Sequence, residues 1–277
     1  MARGRAPTGK PTAACEMTKW FDTNYHFITP EIEPSQEFQL IRTSLFEQVK
    51  EAQEVIGLDR VKVVLVGPLT WLYLAKGVEF TNGADDSKKL HTVLPKLLPI
   101  YQQVLKQLSE MGVKWVQIDE PILVMDLNEE WQQAFVKTYS QDLVASQQGF
   151  ACKILLATYF GPLLNNVKTC VQLHVDAVHL DGVRSGHQQQ EHLENFLSEL
   201  TRFEKTHPEI KKKIISLGLV DGRNVWKTDL EKCVQTIKSV VNHSEFGLSH
   251  ERVWIAPSCS LLHVPLDLSL RLNLMMS

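Results

Sequence analysis

The feature that most constrains the fold is an alternation of short apolar runs with longer amphipathic runs, which begins near residue 38. The short runs are rich in β-branched residues and apolar almost throughout, which is typical of parallel strands buried on both faces. The longer runs repeat apolar residues at helical spacing. The alternation therefore predicts an α/β fold with a parallel sheet. The six predicted strands are Val61–Val66, Trp115–Ile118, Ile154–Ala157, Ala177–Leu180, Ile214–Leu219 and Val253–Ala256.

Residues that favour helix ends lie between these strands. Ser44 and Glu47 have the spacing of a capping box, and Gly57 suits the end of the same helix. Asn128 can accept a hydrogen bond from the first turn of a later helix, and Thr228 can do so for the last one. These positions predict where the helices begin and end.

Composition excludes several classes of protein. The chain has 277 residues, of which 44% are hydrophobic and 22% charged, as in a globular domain. Its formal net charge of −3 provides no basic field for nucleic acid or an anionic membrane. No apolar run is long enough to cross a bilayer, and the first residues do not resemble a secretory signal. Five cysteines without a CxxC pair indicate reduced thiols, so we expect a cytoplasmic protein without nucleic-acid or membrane partners.

Ionisable residues stand at or just after the ends of several predicted strands. Asp119 and Glu120 follow the second strand, Asp181 the fourth and Cys259 the sixth. Because active sites of parallel α/β folds lie at the carboxyl ends of the strands, these four residues are expected to share one edge. Each also has a structural explanation: a carboxylate can cap or turn the chain, and a cysteine can be a small buried side chain. Their joint placement favours a site.

Several motifs of known chemistry are absent from the sequence. It contains no GxGxxG or GxxxxGK[ST] loop, so nothing supports the binding of nucleotide phosphates. It also lacks HExxH, the two-histidine motif of zinc peptidases.

Five stretches, in order, resemble the N-terminal half of cobalamin-independent methionine synthase. The similarity extends from about Arg3 to Leu270, nearly the whole chain. The stretches are Glu16–His26, Gly67–Trp71, Trp115–Pro121, Gly222–Trp226 and Ala256–His263.

The resemblance implies a reaction and an architecture. The family transfers a methyl group from 5-methyltetrahydropteroyl-triglutamate to homocysteine, giving methionine, and has two (β/α)₈ barrels. Its C-terminal barrel holds a zinc ion through His, Cys, Glu and Cys, and the zinc binds homocysteine as a thiolate. Its N-terminal barrel has no zinc and helps to hold the polyglutamate tail of the folate.

The resemblance also implies that this chain is a fragment of such an enzyme. Residues 1–37 correspond to a basic loop and a folate-contacting entry segment, and residues 38–277 to an incomplete barrel with six of its eight strands. The family pattern breaks after Leu270, and the C-terminal catalytic half is not matched. With two strands missing, Val61–Val66 and Val253–Ala256 would be open edges that favour aggregation.

The resemblance also implies a comparison with the zinc site, because the family's two barrels look like copies of one ancestral barrel. When this half is laid over the other, the zinc-binding His and first Cys fall on Ala157 and Gly161, the Glu on Asp181 and the last Cys on Cys259. Two ligands of four are too few for zinc. The resemblance therefore implies a vestigial edge made of Asp119, Glu120, Asp181 and Cys259, with no metal, cofactor or catalytic residue in this chain.

The resemblance assigns Lys19 to the folate. Lys19 occupies the family's Met-Thr-Lys-Trp motif, where the lysine contacts the folate, and its ammonium can meet a carboxylate of the triglutamate tail. Arg3 and Arg5 are expected to add to the same anion-binding site. A C-terminal barrel supplied as a separate chain is a further expected partner.

Two other hypotheses remain open at this point. The chain can be a non-catalytic fragment that binds folate or another protein and is inactive alone. It can also be a divergent barrel enzyme that uses Asp119, Glu120, Asp181 and Cys259.

Overall fold

The strands of the chain form a small hairpin and one larger sheet. The computed structural model describes residues 14–41, 43–77, 79–80, 87–143, 151–184 and 189–264. Within these residues the strands are β1 (Met17–Lys19), β2 (His26–Ile28), β3 (Lys62–Val66), β4 (Trp115–Asp119), β5 (Lys153–Ala157), β6 (Ala177–Asp181), β7 (Ile214–Val220) and β8 (Val253–Pro257).

The larger sheet contains β3 to β8 in sequence order, and every neighbouring pair is parallel. Parallel neighbours require a crossover connection, and helices supply it. The six predicted strands are confirmed, and their bounds differ by at most one residue at either end. The α/β class is therefore confirmed.

The helices begin and end close to where the sequence predicts. Gly57, with a φ of 90°, ends the first one, and Asn128 Oδ1 accepts a hydrogen bond from the Trp131 N–H at 3.1 Å. Asp229 rather than Thr228 caps the last helix. In the described residues the helices are α1 (Ser44–Ile56), α2 (Pro68–Leu74), α3 (Lys88–Thr92), α4 (Leu94–Glu110), α5 (Glu129–Lys137), α6 (Val167–Gln172), α7 (Gln189–Thr206) and α8 (Leu230–Val241).

The capping box predicted at Ser44 is wrong. Ser44 is already the first helical residue, and the residue before it, Thr43, occupies the capping position. The Thr43 hydroxyl donates to Glu47 Oε1 at 2.9 Å and caps no backbone N–H. The capping position is therefore one residue earlier than the sequence predicted.

The two faces of the sheet differ in character. Val116, Ile118, Val178 and Leu180 point to one face and are completely buried in the main hydrophobic core. Because side chains alternate along a strand, the residues between them, among them Gln117, point to the other face. The polar groups of the sheet are thus collected on one face.

The sheet is strongly curved. Trp115 of β4 and Trp254 of β8 lie on strands separated by three others, yet their ring centroids are 4.7 Å apart at an interplanar angle of 67°. Each outermost strand, β3 and β8, pairs with one neighbour within the described residues. Val64 on β3 is 51% exposed and Ile255 on β8 is 64% exposed, so both edges carry apolar surface.

The hairpin of β1 and β2 lies at the carboxyl ends of the sheet strands. Its register pairs Lys19 with His26. The Tyr25 hydroxyl donates to the Leu262 carbonyl at 2.8 Å, beyond the end of β8. The sequence analysis did not predict this hairpin within the 1–37 segment, and the division at residue 37 stays a prediction. No described helix combines the length and the apolar character that a bilayer span requires.

Candidate functional site

The carboxyl edge of the sheet brings several of the predicted residues together. Asp119 ends β4, Asp181 ends β6 and Cys259 follows β8. The Tyr159 hydroxyl donates to Asp119 Oδ2 at 3.0 Å. Tyr159 and Cys259 belong to one small apolar cluster, against which Trp20 of the hairpin packs. The hairpin therefore covers this part of the edge.

Asp119 lies at the end of a chain of polar side chains along the polar face. Gln117 donates through Nε2 to Asp119 Oδ1 at 2.8 Å, and Lys62 donates through Nζ to Gln117 Oε1 at 2.7 Å. Burial raises the pKa of the Asp119 carboxyl, and the hydrogen bonds from Gln117 and Tyr159 oppose that rise. Of the four edge residues, Asp119 is the least buried.

Glu120 points away from this face. Its fully buried carboxylate accepts hydrogen bonds from the Thr70 N–H at 2.7 Å and the Leu69 N–H at 3.2 Å, both in the first turn of α2. The Tyr139 hydroxyl donates to it at 2.5 Å. Burial raises its pKa to about 7 although these bonds act in the opposite direction. Glu120 thus caps α2, whose first N–H groups have no partner in the helix itself.

Gly67 makes room for this carboxylate. A Cβ atom at Gly67 would lie 2.1 Å from Glu120 Cδ, closer than any two such atoms can approach. The Gly67-Pro68 pair at the end of β3 is therefore matched to Glu120 at the end of β4.

Asp181 holds two loops at the edge. Its Oδ2 accepts from the Phe160 N–H at 2.9 Å, and its Oδ1 accepts from the N–H groups of Val183 and Arg184, both at 2.9 Å. Phe160 has a φ of 78°, which is unfavourable for a side chain of this size. Burial raises the pKa of Asp181, and the three N–H bonds oppose it.

Cys259 is a small buried side chain. Burial raises the pKa of its thiol to about 11, so the thiolate is scarce at neutral pH. A Cβ atom at Gly222 would lie 2.9 Å from its Sγ, which shows how closely the two segments pack. A protonated, enclosed thiol of this kind is a poor nucleophile.

The four residues that the resemblance aligns with zinc ligands do not fit a zinc ion. Ala157 and Gly161 offer no ligand atom, and both carboxylate oxygens of Asp181 accept hydrogen bonds from backbone N–H groups. Cys259 is then the remaining candidate ligand of the four, and one ligand is too few for zinc. In the described ranges, no three His, Cys, Asp or Glu side chains lie close enough to hold a metal ion.

His179 is a polar residue of this face that sequence reasoning missed. Its Nε2 lies 3.2 Å from the Ser258 carbonyl and its Nδ1 lies 3.0 Å from the Ser216 hydroxyl. Since a carbonyl can only accept, Nε2 carries the proton. Burial lowers the pKa of His179 to about 4, so the ring is neutral and structural. Its place inside an apolar strand gave no signal for this role.

The rim formed by the hairpin carries exposed charges. Lys19 is exposed, and its ammonium has no hydrogen-bond or ion-pair partner among the residues that the structure describes. Asp22 pairs with Arg223 at 2.6 Å and with Arg184 at 3.6 Å. The sequence analysis did not select these three residues, although Asp22 and Arg223 lie inside the matching stretches. Arg3 and Arg5 lie outside the described residues.

Comparison with known proteins establishes the family. Residues 1–245 match the family described as "Cobalamin-independent synthase, N-terminal domain", and the chain belongs to this family. It is 47% identical over 268 residues to the 5-methyltetrahydropteroyltriglutamate–homocysteine methyltransferase of Coxiella burnetii strain Dugway 5J108-111. The match covers 97% of this chain and 31% of that relative. The same enzyme from strain CbuG_Q212 is 47% identical over 267 residues. The chain thus spans about a third of the length of these relatives.

A solved structure shares the fold at low sequence identity. A methyltransferase from Methanosarcina mazei superimposes with a TM-score of 0.53 and 13% identity, covering 89% of this chain and 70% of that one. At this identity the likeness concerns the fold alone.

Proposed function

We propose that the chain is the N-terminal part of an enzyme that transfers the methyl group of 5-methyltetrahydropteroyl-triglutamate to homocysteine. Its own contribution is to bind the polyglutamate tail through Lys19. The observation that carries the proposal is an exposed lysine without an ion-pair partner in the described residues, on a hairpin at the carboxyl edge of a family domain. The proposal extends to this chain the activity named for the relatives.

The architecture we propose is a partial (β/α)₈ barrel with six of eight strands. Three features support it: the strands are all parallel, their spatial order follows the sequence, and Trp115 contacts Trp254 across the curved sheet. In a closed barrel of this kind the two remaining strands would lie between β8 and β3.

Three of the four edge residues are proposed to have structural rather than catalytic roles. Glu120 caps α2 and Asp181 fixes two loops, while Cys259 is protonated and packed. These contacts disfavour a separate enzyme built on them. Zinc and homocysteine would then bind to the part of the relatives that this chain does not span, in agreement with the poor fit of Ala157 and Gly161 to a metal ion.

We also propose a cytoplasmic location and a partnership with a C-terminal barrel. The location is supported by Cys152, Cys170, Cys233 and Cys259, which are thiols rather than disulfides. The partnership is supported by the fraction of the relatives that the chain spans.

The proposal is tested by calorimetric titration of the 277-residue chain with 5-methyltetrahydropteroyl-triglutamate and with the monoglutamate. Lys19→Ala should weaken binding of the triglutamate by up to about 1 kcal/mol, because an exposed ion pair contributes no more than that, and should affect the monoglutamate less. Lys106→Ala, on the surface of α4, is the matched control. Equal losses for both ligands, or no binding of either by the unaltered chain, would contradict the proposal.

A further inference from the structure

We propose that Lys19, Arg184 and Arg223 form one polycarboxylate-binding rim, and that Asp22 is an internal carboxylate that a glutamate of the tail displaces. The inference rests on the proposed function for the identity of the tail. It adds two arginines and a competing carboxylate that the family match does not assign.

Two arginine side chains converge on the carboxylate of Asp22. Arg223 Nη1 lies 2.6 Å and Arg184 Nη1 lies 3.6 Å from the same carboxylate oxygen, Oδ2. The two arginines come from the loops after β7 and β6, and Asp22 comes from the hairpin turn. Two guanidinium groups that converge on one carboxylate oxygen define a place where a carboxylate binds.

The side chains of Asp22, Arg184 and Arg223 differ in their exposure to solvent. Asp22 is 75% exposed, whereas Arg184 is 36% and Arg223 is 17% exposed. The acid is thus the most exposed of the three side chains. It can be exchanged for another carboxylate without the cost of opening the core.

The rim around Asp22 is positively charged. Arg223, Arg184 and Lys19 all lower the pKa of the Asp22 carboxyl, with Arg223 contributing most. Three cations therefore act on one carboxylate. The other acids nearby, Asp221 and Asp181, accept hydrogen bonds from backbone N–H groups, Asp221 from Arg223 and Asp181 from Arg184, both at 2.9 Å. Three cations around the one exposed carboxylate of Asp22 suit a ligand with more than one carboxylate.

The loop that carries Arg184 and the side chain of Arg223 are both held by other contacts. The Arg184 N–H donates to Asp181, and the guanidinium of Arg223 lies 5.4 Å from the ring centroid of Phe160. Phe160 is itself held by a hydrogen bond to Asp181. A site whose cations are already positioned loses little conformational freedom when a ligand binds.

The test is the binding of tri-γ-glutamate without a pteridine, measured by calorimetry on the 277-residue chain at low and at physiological ionic strength. Arg223→Gln and Arg184→Gln should each weaken binding, and added salt should reduce the difference. Asp22→Asn should strengthen binding by about twofold to fivefold, the range expected for one exposed ion pair. Arg202→Gln, in an exposed pair with Glu199 on α7, is the matched control.

The Asp22→Asn variant separates displacement from a purely structural pair. If Asp22 only anchors the hairpin, its loss leaves binding unchanged or weaker, and either result overturns the inference. Unchanged binding by both arginine variants, or no binding of tri-γ-glutamate by the unaltered chain, overturns it as well. Thermal melting of each variant identifies a loss of fold, and Asp22→Asn keeps the size of the side chain and one acceptor oxygen.

The proposed function and this inference fail in different ways. If tri-γ-glutamate responds to the variants as expected but the methylfolate does not bind, the rim stands and the methyl-transfer proposal fails. If the methylfolate triglutamate binds through Lys19 but ignores Asp22 and both arginines, the inference fails alone. A parallel titration with α-linked triglutamate shows whether the rim prefers a γ-glutamyl tail over any acidic peptide.

Discussion

Glu120 and Asp22 are both carboxylates at the carboxyl edge of one sheet, yet their surroundings are opposite. Glu120 is completely buried and accepts two backbone N–H bonds and one hydroxyl bond. Asp22 is mostly exposed and pairs with two cationic side chains, those of Arg184 and Arg223. Position at the edge of a sheet therefore does not identify a ligand site. The kind of partner does, since backbone donors fix the fold whereas cationic side chains can exchange partners.

This contrast predicts that a substitution at buried Glu120 lowers the stability of the fold far more than one at the exposed rim. Burial makes the loss of a partner costly, because the remaining donors stay desolvated. At the exposed rim, water replaces the lost partner.

Glu120→Ala should lower the free energy of unfolding by about 3–5 kcal/mol, because it leaves two N–H groups of α2 and the Tyr139 hydroxyl without their acceptor and opens a cavity. Urea denaturation followed by circular dichroism measures the change. Glu51→Ala, on the exposed side of α1, should change stability by less than about 0.5 kcal/mol. Similar values for the two variants would remove the contrast.

The pH dependence of stability should reveal the raised pKa of Glu120. Between its ordinary value of 4.5 and about 7, the folded protein keeps the proton that the unfolded chain has lost. The free energy of unfolding should therefore fall as pH rises through this window, by an amount on the order of 3 kcal/mol. Denaturation of the unaltered chain and of Glu120→Gln over this range isolates the effect, since glutamine does not titrate. Parallel curves for the two proteins would show that Glu120 titrates normally.

Gly67→Ala should cost about 1–3 kcal/mol, because the new methyl group would overlap the Glu120 side chain. The same substitution in a Glu120→Ala background should cost much less, since the overlap is gone. A double-mutant cycle measured by denaturation gives this coupling directly. Additive effects would mean that Gly67 is required for another reason.

Lys19→Ala should change the free energy of unfolding by less than about 0.5 kcal/mol, since an exposed side chain without an ion-pair partner in the described residues adds little to stability. The same denaturation experiment measures it. A loss comparable to that of Glu120→Ala would make Lys19 a structural residue and would weaken its assignment to the ligand.

The sheet was predictable because its signal is local. Runs such as Val63–Val66 are apolar and mostly β-branched over consecutive residues, so no knowledge of their neighbours is needed. The sequence also allowed the prediction that Asp119 and Glu120 point to opposite faces of the sheet, because adjacent residues of an extended chain alternate in direction. That alternation places Asp119 with Gln117 and separates it from Glu120.

The hairpin and the rim could not be predicted in the same way. β1 and β2 are only three residues long, and contacts such as that between Tyr25 and Leu262 join parts of the chain that are far apart. Arg184 and Arg223 likewise acquire their role from Asp22, which lies early in the sequence. Sequence patterns report local preference and burial, whereas these positions depend on which loops meet in space.

The contact between Trp115 and Trp254 provides a spectroscopic signal for the folding step in which the sheet curves. Each strand of the sheet pairs with the next one along the chain, so the ladder can be built step by step through local closures. The two indoles meet only when β4 and β8 are both in place and the sheet has curved. Electronic coupling between the rings should therefore appear as a distinct circular dichroism band after secondary structure has formed. The delay between the secondary-structure signal and the indole band measures when the sheet curves, separately from when its strands pair.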